Sequence, residues 1–275
     1  MNSNNETTTA PPETAGFDVR EFARTAHGSH RGTLDLGSLA EEPLDAESVR
    51  LVRALRDMER ATLHRVRDLL VTATHKDARV TAFLTTWMFE RFWIADALDA
   101  VLDVSPAARD LPSSAGPARW VLAERRERRG PIRRSLIANI TGTQIVAEHV
   151  TTGLVDEWIT QAAYRRLVGV SSAMAAIINP VVEIKHRHIR FLAEEAERRL
   201  QRSARAQRIT RRALRHAAWP LGSVDRSGHE RTFFERHVFG DQSGRAEARR
   251  IRGMVAALPG IRPGVASTVE SRLLP

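Results

Sequence analysis

Glu59, Glu90, Glu157, Lys185 and His188 fall where a helical repeat would bury them. Glu59 lies in a stripe with Val52, Leu55, Leu63, Val66 and Leu70. Glu90 interrupts Val80, Phe83, Trp87, Ile94, Ala97, Leu98 and Val101, with Arg91 on its shoulder. Glu157 shares a face with Val146, Val150, Leu154, Tyr164 and Val168. Lys185, His188 and Glu195 sit inside a stripe of Val170, Met174, Ile177, Ile178, Val181, Ile184, Phe191 and Leu192. An isolated charge is costly to bury, so such residues must pair with one another or bind metal. Carboxylate and imidazole suit iron or manganese. Arg91 and Lys185 could instead supply the balancing positive charge, with a protonated His188 completing it.

Four long helices must position these residues. The first runs from a cap at Asp45 or Ser48 to about Thr72. Thr74–Asp77 makes a turn into a second helix that ends near Leu102. Phe89, Phe92 and Trp93 make that helix apolar around much of its girth, which predicts a central position. A Pro- and Ser-rich loop follows, then a short basic helix over 118–129 broken by Gly130-Pro131. The third long helix spans about 131–168, with an interruption near Gly142. Gly169 and Ser171-Ser172 stop it and cap the fourth, in which Pro180 predicts a kink. A hairpin near residue 170 would bring Glu157 level with Glu183–Lys185. A turn near 75 would do the same for Glu59 and Glu90.

The rest of the chain sets the context. Its 275 residues suffice for one large helical domain and an appendage. We expect a mobile tail over 1–40 with a short helix near Asp18–Thr25, a helical body over 41–220, and a small helical extension over 221–275. Two short helices are expected at 228–240 and 243–257, with the last dozen residues irregular. Cysteine is absent, which removes disulfides, thiolate zinc sites and cysteine nucleophiles. No apolar run reaches the roughly 18 to 20 residues of a membrane helix, and the N-terminus lacks a signal-peptide pattern. A cytoplasmic location without membrane contact is the expectation. The net charge of +9 comes mostly from Arg. Arg198–Arg215 could track phosphates, yet Glu194, Glu195 and Glu197 precede it and no aromatic interleaving accompanies it. A solvated face is therefore expected there in preference to nucleic-acid binding.

Together these features read as an all-α fold. They resemble the ferritin-like superfamily over residues 45–220, especially its di-iron carboxylate oxidoreductases. The resemblance is carried by the four charged seams and by the segments Phe83–Trp93, Glu157–Tyr164 and Glu183–Leu192. It implies a ferritin-like four-helix bundle with additional short C-terminal helices. It also implies a Glu from helices one and three and Glu-x-x-His from helices two and four, holding two irons. The match is incomplete, because Trp93 stands where Glu90 would need its His partner. Glu183-x-x-His186 has the right letters, but the helical period turns it toward solvent and Lys185-x-x-His188 inward. A kink at Pro180 could reverse that.

Three readings follow. A di-iron site would use Glu59, Glu90, Glu157, Glu183, His186 and His188, with Tyr164 as a nearby hydrogen-bond donor. It would oxidise a small or carrier-bound organic substrate. A reduced site would hold one metal through Glu59, Glu90, Glu157 and His188. In the third there is no metal: Arg91 and Lys185 replace it, and the protein is a binding or scaffold bundle. A homodimer is compatible with each.

Overall fold

The computed structural model describes residues 16–111, 142–221 and 228–275. The expected basic helix over 118–129, its break at Gly130-Pro131 and the start of the third long helix lie outside the described residues. Among the described residues the fold is all-helical, without strands. No helix there is long and apolar enough to cross a membrane.

Two antiparallel hairpins form the body. In the first, α3 (Ala46–Leu70) turns through a 3-10 segment (Ala73–Lys76) into α4 (Ala78–Val104). In the second, α5 (Ile145–Val168) turns into α6 (Ser172–Arg202). Local chemistry fixes three of the four starts. Asp45 accepts the Ser48 amide at 2.6 Å, Asp77 accepts Val80 at 3.0 Å, and Ser171 accepts Met174 at 3.1 Å. Each satisfies an amide that a helix start leaves unpaired. The apolar stripes then bury against one another: α3 packs on α4 and α5, and α6 packs on α5 and α4. Val52, Leu55, Phe83, Ile94, Leu98, Leu154, Ile159, Ile178 and Phe191 are buried in one continuous core. Pro180 lies inside α6, which continues through it as helix.

Residues 16–41 pack against this body, where composition had suggested a mobile tail. Asp18 caps α1 (Val19–Arg24), and α2 (Leu36–Glu41) follows. Phe17, Phe22 and Leu39 are buried. Each buried side chain of this size contributes roughly 1.5–3 kcal/mol, which outweighs what the polar composition implied. Past α6, Ser203 breaks the helix and caps α7 (Ala204–His216), which packs on α5. The short helices α8 (Gly228–Phe239) and α9 (Gln242–Ala257) lie close to their expected places. The final residues are not all irregular: Pro263 opens α10 (Pro263–Ser271), whose Val265, Ala266 and Val269 are buried. An apolar pattern that short is easily passed over beside the Gly and Pro around it.

Candidate functional site

The charged residues of the four seams meet at one depth in the core. Glu59, Glu90, Glu157, Lys185 and His188 are buried to within 1% of completely, and Arg91 to within 2%. The Lys185 ammonium stands between two carboxylates, 2.9 Å from Glu59 Oε1 and 2.8 Å from Glu157 Oε2. The Arg91 guanidinium donates through Nε to Glu59 Oε2, and its Nη1 lies 3.5 Å from Glu157 Oε1. Glu59 and Glu157 thus share the same two cations, one from α4 and one from α6.

Uncharged donors complete the ring. The Tyr164 hydroxyl donates to Glu59 Oε1 at 2.9 Å. The Trp87 indole N–H donates to Glu157 Oε1 at 2.8 Å. The Trp87 face also lies 4.8 Å from the Arg91 guanidinium carbon, within range of a cation–π contact. Trp87 belongs to the predicted seam, but its polar role was missed: helical period places a ring and does not aim its N–H.

Glu90 forms a second arm. Its Oε2 pairs with His188 Nε2 at 2.7 Å, and the other His188 nitrogen lies 3.7 Å from Glu157 Oε1. Glu90 Oε1 accepts the backbone N–H of His27 at 2.9 Å and lies 3.5 Å from Arg187 Nη1. Arg187 in turn donates to the carbonyls of Phe22 and Thr25, each at 3.1 Å. The N-terminal segment therefore closes over the Glu90–His188 pair. Phe22, Phe83 and Trp87 meet the His188 ring edge-on. These contacts could not be read from sequence, since they join a loop to helices 63 or more residues away.

Protonation follows from this geometry. Burial by itself would raise the Glu59 and Glu157 carboxyls. Arg91 and Lys185 outweigh it, so Glu59 stays below the ordinary carboxylate range and Glu157 well below. Burial also opposes ionisation of Glu90, but His188, the His27 amide and the Arg187 charge together outweigh it and hold that carboxyl low as well. Burial, then the Glu59 charge, pushes the Tyr164 phenol well above its usual value. Three carboxylates face three cations, Arg91, Lys185 and Arg187, and their formal charges sum to zero.

Glu183 and His186 are not part of this cluster. Their side chains are 77% and 44% exposed and lie 3.6 Å from each other on the outer face of α6. The helical period, and not the letters of Glu-x-x-His, decides which residues point inward. His149 is partly buried, with Nδ1 2.7 Å from Thr74 Oγ1. Outside this cluster the buried carboxylate of Glu195 accepts from Arg79 and Arg199 at 2.9 Å each and from Arg198 at 2.5 Å. Near the charged ring, Phe83, Leu84, Trp87, Val150, Gly153 and Leu192 line a small, almost wholly apolar cleft together with Arg65 and His149.

Among the described residues, no three His, Asp or Glu side chains are grouped so as to hold a metal ion. The carboxylates converge, but cations lie between them. No family model, curated protein or solved structure matches the chain.

Proposed function

We propose that this chain is a ferritin-like four-helix bundle whose core is organised by protein cations in place of metal, and that it serves as a binding or scaffold protein. The observation that carries this reading is the position of Lys185, whose ammonium lies within 2.9 Å of both Glu59 and Glu157. In a carboxylate-bridged metal site, those oxygens would face the metal. Here their lone pairs are spent on Lys185, Arg91, Tyr164 and Trp87. A dication placed among them would meet the charges of Arg91 and Lys185 at close range. The residues as arranged do not fit a di-iron centre, and no catalytic step is assigned to one. A buried network of ion pairs and hydrogen bonds of this kind specifies how four helices meet, a role attested for buried polar groups in some proteins.

A second reading keeps one metal, held by Glu59, Glu90, Glu157 and His188 after Lys185 swings away. Its supporting observation is His188 Nδ1, which is buried without a hydrogen bond and directed toward Glu157. Such a site would act on a small or carrier-bound organic substrate. Metal analysis of protein purified from iron-rich medium separates the readings. The scaffold reading expects no bound metal and an unfolding temperature unchanged by chelator or added Fe(II). About two irons per chain, as in di-iron carboxylate bundles, lost on Glu59→Ala with Glu157→Ala, would overturn it. A single stoichiometric metal lost on His188→Ala would establish the second.

A further inference from the structure

The arginine-rich stretch 198–215 divides into two parts that the fold treats differently. Its first arginines are used internally. Arg198 and Arg199 both bind the buried Glu195, and Arg199 also reaches Asp77 at 2.6 Å. After the break at Ser203 the pattern changes. Helix α7 contains no acidic residue, and Arg208, Arg212 and Arg215 lie exposed along it. Its opposite side is anchored by the buried Ala206, Thr210 and Leu214.

The tertiary structure enlarges this face. Arg211 Nη1 donates to the carbonyl of Gly260 at 2.7 Å, joining α7 to the turn before α10. Gly260 has a φ of +71° and packs directly on Gln207, where a Cβ would collide with the side chain. This close approach brings exposed Arg262, distant in sequence, beside α7. Among the described residues, none of Arg208, Arg212, Arg215 and Arg262 pairs with a carboxylate. Their crowding is felt by Arg211: burial and then the charges of Arg262, Arg215 and Arg208 all lower its pKa. Several arginines elsewhere in the molecule are matched to acids, as at Arg56–Asp99, Arg166–Asp241 and Arg252–Glu270. Here like charges are gathered and left unmatched.

We propose that the face formed by Arg208, Arg212, Arg215 and Arg262 binds the phosphate backbone of a nucleic-acid duplex without reading its sequence. The three arginines of α7 stand at i, i+4 and i+7. They span roughly 10 Å at 1.5 Å per residue, the length of about three phosphates along one strand at 3.4 Å each. Guanidinium groups suit phosphate in both charge and fork geometry. An anionic membrane is the poorer partner, because a helix lying in a lipid interface needs an apolar face to insert. Among the described residues, the exposed large apolar side chains are Val71, Phe89, Phe92 and Val170, none on α7 or α10. The inference is independent of the metal content of the core, so either can fail alone.

The test is fluorescence anisotropy of the full chain with labelled DNA duplexes of two unrelated sequences, titrated at several salt concentrations. Four phosphate contacts predict a slope of about −3.6 for log affinity against log salt, and roughly 100-fold weaker binding for a fourfold rise in salt. The two duplexes should bind alike. Changing Arg208, Arg212, Arg215 and Arg262 together to Ala should abolish most binding and flatten the slope. Changing Arg20 and Arg67, exposed arginines on other helices, should change little. All six side chains are at the surface, and circular dichroism would check that each variant folds. No binding at low salt would overturn the proposal, as would binding unchanged in the fourfold variant. So would binding to phosphatidylserine vesicles with none to duplex.

Discussion

Replacing Lys185 with Met removes one cation from the core and keeps the length of the side chain. In the native protein the ammonium lies 2.9 Å from Glu59 and 2.8 Å from Glu157. At an effective dielectric near 20, each contact is worth roughly 6 kcal/mol of gross attraction. Desolvation of the three ions offsets much of this, at several kcal/mol per ion. The cost of the variant is set by what remains: two buried carboxylates sharing only Arg91. Removing one partner from a buried ion pair typically costs about 3–5 kcal/mol. At about 2–4 °C per kcal/mol for a chain of this size, the unfolding temperature should fall by roughly 6–20 °C.

Calorimetry and denaturant unfolding would both measure this loss. The variant should also depend differently on pH. With Lys185 gone, Glu59 and Glu157 accept protons more readily in the folded state, so the deficit should shrink on acidification. A companion variant combining Lys185→Met with Glu157→Gln removes the uncompensated charge. It should recover much of the loss and keeps the test usable if the single variant fails to fold. A loss under about 1 kcal/mol, the scale of a surface ion pair, would refute the reasoning. So would a Glu157→Gln change that makes the Lys185→Met protein worse.

Other expectations follow from the same geometry. Glu59, Glu90 and Glu157 are all held lower in the folded chain than in the unfolded one. Their contribution is therefore complete above the unfolded glutamate value of about 4.3 and is lost as pH falls through their folded values. Denaturant midpoints should show little pH dependence from these groups between neutrality and that point, then a steep decline below it. Tyr164 is the only tyrosine and its phenol is raised well above 10.0, so an ultraviolet titration should show no tyrosinate near that pH until the chain unfolds. Tyr164→Phe should cost about 1.5–3 kcal/mol, the range for a hydrogen bond to a charged group, as read by urea unfolding. Phe22→Ala should cost about 3–5 kcal/mol and expose the N-terminal segment to proteolysis; resistance equal to the wild type would argue against its role in closing the core.

Much of the architecture was legible in the residues. Asp45, Asp77 and Ser171 mark helix starts because a short polar side chain ahead of an apolar repeat can satisfy the first free amides. Helical period chose Lys185 and His188 over Glu183 and His186, because it reports which side of a helix faces the core whatever the motif. The same rule put Glu59, Glu90 and Glu157 inside, and the two turns put them at one level. The composition of residues 16–41 misled, since buried Phe17 and Phe22 are too few to impose a period on a polar segment.

What the charged seams do with one another was decided only in three dimensions. Sequence admitted metal or protein cations between Glu59 and Glu157. In the structure Lys185 and Arg91 stand there, placed by side-chain reach and rotamer, neither of which has a periodic signature. The same holds for the Trp87 indole aimed at Glu157 and the His27 amide aimed at Glu90. It also holds for Arg262, whose place beside α7 comes from one turn at Gly260. Period and capping are local and written along the chain, whereas the direction of a hydrogen bond and the neighbours of a charge belong to the packed structure.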